Sequence, residues 1–390
     1  MPRFEPFTGI HYSPSIDANA VVAPPYDVLS AADRQGLARR SVNNIVHIDV
    51  PDPALGDAWY AQAADTMQQW LADGILVQDS TPSLYLYRMA FADVAGAPRH
   101  VVGVIGGLEV VPSGLGDVLP HEETTPKDKT DRYDLTAATH ANLSPVWGLS
   151  LTSGLSGLLE ASGDLIGEVT VDAVTHTVER VHQTERIAAI SAAVAKSPVV
   201  IADGHHRYEV ARRYARESGL TDAQLTMTLV MELTEEQLAV QAIHRLISGV
   251  SAVAFDAAID AHFDRSPAGA VTASFAQDVV ERCALCLVDT NGAGQWLSPR
   301  DVAFEGVADL DSARIRHALR DTPHDVAYQH GVDNILDAVA AGRASHGILI
   351  RPVSVPAIRQ LAADRGLMPP KSTFFVPKPR TGFVIRPMRS

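Results

Sequence analysis

Short apolar runs rich in β-branched residues, Val101–Ile105, Val199–Ala202 and Leu225–Met231, alternate along the chain with stretches whose apolar residues return every three to four positions. The first pattern predicts buried strands and the second predicts helices packed on them, so the chain reads as α+β, a mixed α/β fold, and neither all-α nor all-β. Helices are predicted from Trp59 to Leu71 and near 128–140, and a strand at Ala239–Ile243 that ends against His244-Arg245. Ala23-Pro24-Pro25-Tyr26-Asp27 predicts an extended or turn segment, because proline restricts its own φ and the residue before it. Gly347–Arg351 predicts one more apolar run ahead of a last helix.

A chain of 390 residues exceeds what one hydrophobic core usually organises. No internal repeat and no low-complexity linker divides it, so the boundaries follow the rhythm of elements. Residues 1–100 read as an N-terminal α/β extension, 101–250 as a core in which polar signatures thicken, and 251–390 as a C-terminal α/β lobe whose last 45 residues become distinctive again. Within that lobe 251–345 is alanine-rich and chemically quiet.

Lys and Arg number 32 against 46 Asp and Glu, a formal net charge of −14, and such a surface repels a phosphate backbone. Nucleic acid is therefore excluded as the main partner. The opening Met1-Pro2-Arg3-Phe4-Glu5-Pro6 lacks a basic then apolar leader, and no apolar run approaches the roughly 18 to 20 residues that span a bilayer. The expectation is a cytoplasmic protein with no membrane partner; a homodimer is compatible with it. Cys283 and Cys286 form a Cys-x-x-Cys pair, but no second pair accompanies it and it runs straight into Leu287-Val288, so both are read as core residues rather than as a redox or zinc motif.

The sharpest polar segment is Asp203-Gly204-His205-His206-Arg207, which follows an apolar strand and opens a helix with Val210, Ala211, Tyr214 and Ala215 on one face. Cations at a helix N-terminus oppose its dipole, so three in a row are unfavourable unless an anion lies among them. With the N–H groups of a first turn they build a site suited to phosphate, in which Arg207 can grip two oxygens. The plainer alternative is that Asp203 caps the helix and the other three are solvated.

A second segment, Pro120-His121-Glu122-Glu123-Thr124-Thr125-Pro126-Lys127-Asp128, places histidine beside glutamate. Thr125 stands where a His-Glu-x-x-His zinc motif needs histidine, so what remains is a carboxylate able to act as general base and a histidine able to orient it. Asn142 and Ser144 before Pro145 are turn residues or line the same cleft. A third segment, Met368-Pro369-Pro370-Lys371-Ser372-Thr373-Phe374-Phe375-Val376-Pro377-Lys378, sets lysines and hydroxyls on stiff extended backbone. It suits a carboxylate or phosphate, or docks as a strand with Phe374 and Val376 inward and its lysines solvated. There is no Walker loop, no Gly-x-Gly-x-x-Gly and no Gly-x-Ser-x-Gly, so phosphate binding on Asp203–Arg207 requires another nucleotide fold.

Together these segments are similar to the free-serine kinases built on the ParB/sulfiredoxin-like fold. Asp203-Gly204-His205-His206-Arg207 resembles their phosphate motif, Pro120-His121-Glu122 their Pro-His-Glu, and Pro370-Lys371-Ser372-Thr373 their C-terminal Pro-Lys-Thr-Thr stretch, in the same order. The resemblance covers roughly 101–390. Over its full length, including Pro24-Pro25-Tyr26-Asp27, the chain resembles a widespread prokaryotic family of formerly unknown function. It departs from the small kinases in the longer distance from Glu122 to Asp203 and in His244-Arg245, where they are aromatic.

The resemblance implies a ParB/sulfiredoxin-like nucleotide-binding catalytic core over 101–250, with the final strand segment of the 251–390 lobe returning to its active site. It also implies phosphoryl transfer from a nucleotide, ATP or ADP with Mg²⁺, to the hydroxyl of free L-serine, giving O-phosphoserine. Glu122 is then the catalytic base and His121 its orienter. Asp203, Gly204, His205, His206 and Arg207 hold the nucleotide phosphates, with Asp203 also a ligand to Mg²⁺; Lys371, Ser372 and Thr373 hold the substrate. The alternatives are a non-catalytic nucleotide sensor on the same fold, a kinase for another small hydroxyl compound, and a ParB-like clamp on nucleic acid, which the charge disfavours.

Overall fold

The computed structural model describes residues 1–93, 96–112, 114–122 and 129–388; Glu123 to Asp128 of the second polar segment lie outside the described residues. The chain divides into two compact units. One comprises Met1–Pro120, Thr124–Ala239 and Pro377–Ser390, the other His121–Glu123 and Val240–Val376. The fold is mixed α/β, as the alternation of patterns predicts.

In the first unit a mixed sheet runs in the order Val118–Pro120, Val199–Asp203, Val146–Ser150, Leu225–Glu232, Pro98–Glu109, Leu84–Ala92, Val174–Val181, Asp164–Val171, with Phe4–Glu5 added beside Pro98–Glu109. Val199–Asp203 pairs parallel with Val118–Pro120 and antiparallel with Val146–Ser150. Its residues Val199 to Ala202 are all buried, which is why the segment reads as a continuous apolar run rather than an alternating one. Val199 and Ile201 join Tyr208 of the following helix in one core cluster. A second core gathers Ile45, Ile48, Met67 and Trp70 with Leu135, Ala141 and Leu143, and so fixes the helix Lys129–Thr139 against the predicted helix Trp59–Ala72.

The second unit carries a sheet in the order Phe263–Ala270, Ala293–Pro299, Leu285–Val288, His346–Leu349, Ile243–Ser248, Asp325–His330, all neighbours antiparallel. Period-2 alternation divides it into two cores: Leu246, Cys286 and Val288 face one, Ile247, Leu285 and Leu287 the other.

Three local expectations are corrected. Cys286 is a core residue, but Cys283 is exposed in a positive-φ turn ahead of the strand. Ala239–Ile243 is not one strand: pairing stops at Gln241 and a new strand begins at Ile243, which places His244 and Arg245 inside it. In Phe374–Val376 it is Phe375 that is buried, with Phe374 and Val376 partly exposed, because the pleat is opposite to the one expected.

Candidate functional site

In the first unit Asp203 closes its strand, Gly204 takes φ +82°, and the helix His205–Glu217 begins. Only glycine adopts that conformation without penalty, and a Cβ there would also stand 2.9 Å from Arg207 Nε. His205 is buried and His206 half-buried in the first turn. Val210, Ala211 and Tyr214 face inward with Ala215 partly covered, as the helical period requires.

Asp203 is gripped from both sides. Arg207 Nη2 donates to Oδ2 at 2.7 Å, and Lys378 Nζ donates to Oδ1. Burial alone would raise the Asp203 carboxyl, but Lys378 and then Arg207 hold it below the usual carboxylate range. Arg207 also donates to the Pro145 carbonyl, and its Nε has no partner among the described residues.

Residues from elsewhere in the first unit complete this neighbourhood: Tyr26 of the Pro-Pro-Tyr-Asp turn, Asn142 and Ser144, all singled out in the sequence, and Asp49 and Arg132, which no local motif announced. A cavity of about 50 Å³ is lined by Arg207 together with Tyr26, Asp49, Arg132, Asn142 and Ser144. Arg132 lies over the Tyr26 ring at 4.3 Å and donates to the Asp49 carbonyl at 2.7 Å and to Asp49 Oδ1 at 3.3 Å. Asp49 Oδ2 has no hydrogen-bond partner among the described residues, and burial raises its pKa against the pull of Arg132 and Arg207. Asp27, exposed on the single turn Tyr26–Val28, acts on Arg207 through its charge. Charge pairing is the one signal that could have found this group: a buried Arg207 requires compensating carboxylates.

In the second unit the other two segments meet. His121 Nε2 lies 2.7 Å from Thr373 Oγ1 and 4.0 Å from Glu122 Oε2, and the Ser372 N–H donates to Glu122 Oε2 at 3.2 Å. The Met368 N–H donates to the His121 carbonyl at 2.8 Å, which ties the two segments together through the backbone. The Ser372 hydroxyl is committed to the Pro369 carbonyl at 2.7 Å and to Ser312 Oγ at 2.9 Å. Ser372 and Thr373 thus brace the Glu122–His121 pair. Lys371 is exposed and makes no hydrogen bond or ion pair with the described residues.

Asp203 does not suit a protein-held Mg²⁺. Both of its oxygens are taken by cations, and no cluster of three His, Cys, Asp or Glu able to hold a metal occurs among the described residues. Magnesium more commonly rides on substrate phosphates with few protein ligands.

A family model described as a protein of unknown function, DUF1015, matches residues 4–313. The chain belongs to that family. No curated protein matches this DUF1015 member. Among solved structures it is similar to a variant free serine kinase in complex with AMP, at 12 % identity and a TM-score of 0.40, covering 71 % of this chain and 88 % of that one. Another variant free serine kinase, in complex with ADP, matches at 11 % identity and a TM-score of 0.38, covering 67 % and 84 %. C-terminally truncated SbnI from Staphylococcus aureus matches at 10 % identity and a TM-score of 0.40, covering 72 % and 85 %. Among the described residues no helix is long and apolar enough to cross a membrane.

Proposed function

We propose that this DUF1015 member is a small-molecule kinase that moves the terminal phosphoryl group of ATP or ADP to the hydroxyl of free L-serine. The observation that carries the reading is the strand end, left-handed Gly204 and helix start at Asp203–Arg207, with Arg207 and Lys378 both held on Asp203. A helix N-terminus with two fixed cations stabilises a phosphoryl group and the negative charge that moves during transfer. An ammonium carries three donors in all and a guanidinium five, more than the one that each gives to Asp203, so Asp203 can position both while they hold phosphate.

Glu122 takes the second role. The serine oxygen attacks phosphorus, the bond from phosphorus to the bridging oxygen of the nucleotide breaks, and the hydroxyl proton passes to Glu122 and then to solvent. Holding by the Ser372 N–H and the neighbouring His121 supports a fixed carboxylate that can direct the hydroxyl. Mg²⁺ would enter with the nucleotide and add charge neutralisation to its phosphates.

Substitution Glu122→Gln separates this reading from a non-catalytic nucleotide sensor. The kinase requires a rate loss of roughly 10²- to 10⁴-fold with nucleotide affinity retained. A sensor has no turnover to lose, and a panel of amino acids and small alcohols separates serine from other acceptors.

A further inference from the structure

Arg245 is buried inside the strand Ile243–Ser248, with only 4 % of its surface exposed. Its cross-strand neighbour is Tyr328, and its guanidinium lies over that ring at 4.8 Å. Its one hydrogen bond runs to the Ile243 carbonyl of its own strand, and it forms no ion pair with any described carboxylate. Burial lowers its pKa to about 10, with the charges of Tyr328 and Glu122 opposing that shift. Buried arginines in folded proteins are almost always paired, because removing the charge from water without a counter-ion is costly. The largely covered Arg132 and Arg207 have theirs, Asp49 and Asp203, while the buried Arg386, which has no ion pair among the described residues, donates to the Leu225 and Asp222 carbonyls instead.

We propose that Arg245 supplies an oxyanion site, and that the oxyanion it holds is the carboxylate of the acceptor amino acid bound beside Glu122. The proposal rests on the kinase reading above for the identity of the acceptor. Phosphate shares the chemistry, since a planar guanidinium grips either group through two oxygens. The carboxylate is favoured because Arg245 belongs to the same unit as Glu122 and its strand adjoins the segment that braces Glu122: Phe374, next to Thr373, stacks at 4.8 Å on His330, the cross-strand partner of Ile243, whereas phosphate already has Arg207 and Lys378. In serine the hydroxyl and carboxylate are close together, so a base that receives one needs a cation nearby for the other. Without such a cation, Glu122 would repel the carboxylate of its own substrate.

The test compares L-serine with L-serinamide, in which the carboxylate becomes a neutral amide, on wild type, Arg245→Lys and Arg245→Met. Wild type should prefer serine by roughly 100-fold in kcat/KM, the scale of a bidentate charged contact. Arg245→Met should lose about that factor with serine, mainly through KM, and little with serinamide; Arg245→Lys should fall between. Equal losses on both substrates, or a wild type that does not discriminate, would overturn the proposal. So would a loss in nucleotide affinity, read by calorimetry, in place of the loss with serine, since that assigns Arg245 to phosphate. Should Arg245→Met fail to fold, Arg245→Lys and the wild-type preference still decide the question. Calorimetric binding of serine, absent for serinamide and for Arg245→Met, in a protein without turnover would keep the site and reject the kinase. Turnover with no preference for serine would do the reverse.

Discussion

Lys378 donates to Asp203 Oδ1 from 175 residues further along the chain, while Arg207 takes the other oxygen at 2.7 Å from only one helical turn away. The carboxylate thereby fixes two cations at the positive end of the helix His205–Glu217. Replacing Lys378 by Met leaves Asp203 its Arg207 partner but removes one of the two cations proposed to hold phosphate. Nucleotide affinity should fall roughly 10- to 100-fold, as for one charge-assisted hydrogen bond. Unchanged affinity in a calorimetric titration would remove Lys378 from the phosphate site.

Gly204 holds φ +82° with the Arg207 guanidinium folded against it. A Gly204→Ala variant meets the left-handed penalty of about 1–2 kcal/mol and also displaces the guanidinium. Denaturant unfolding should report the lost stability, and nucleotide affinity should fall with it. A variant that loses stability alone would mean that the position of Arg207 is immaterial to binding.

Thr373 holds the buried His121 at 2.7 Å. Thr373→Val keeps the shape and removes the hydroxyl, at a cost of about 1–3 kcal/mol for the group left without its partner. If His121 orients Glu122, kcat should drop about tenfold with little change in nucleotide affinity. An unaltered kcat would restrict Thr373 to a structural role.

Two buried histidines link stability to pH. His176 Nδ1 shares a hydrogen bond with the Tyr87 hydroxyl at 3.0 Å, and burial, then the charge of Arg380, brings its pKa down to about 4. His244 accepts from the Ile350 N–H at 3.2 Å and falls to about 4 through burial, then through Arg245 and His330. Both lie below the ordinary value near 6.5, so between those limits the unfolded chain binds more protons than the folded one. Their contribution is complete above about pH 6.5 and is lost as pH falls toward 4, on the order of 3 kcal/mol for each. A His176→Gln variant should flatten the fall in unfolding free energy between pH 7 and 4.5. Parallel curves for variant and wild type would contradict the assignment.

What could be read from the chain alone depended on how local each signal was. The turn at Gly204 and its helix were legible because a strand, a glycine and a 3.6-residue period stand side by side in sequence. Pro120-His121-Glu122 was legible as chemistry, but its bracing by Ser372 and Thr373 joins residues about 250 apart, and the sequence offered that third segment only as an anion or substrate site or a docking strand. Tyr26 belonged to a legible Pro-Pro-Tyr-Asp turn, but its joining with Asp49 and Arg132 had no local signature: Arg132 meets Asp49 across 83 residues because the helix Lys129–Thr139 packs on the N-terminal core. The face of Phe374–Val376 was misjudged because a three-residue strand offers too little alternation to fix its pleat.

The most direct test is incubation of the purified protein with Mg²⁺, L-serine and either ATP or ADP, following O-phosphoserine by mass spectrometry beside Glu122→Gln. The predicted result is product from wild type with one or both donors, formed roughly 10²- to 10⁴-fold faster than by the variant. Absence of product with both donors, from a protein that binds nucleotide, would contradict a free-serine kinase.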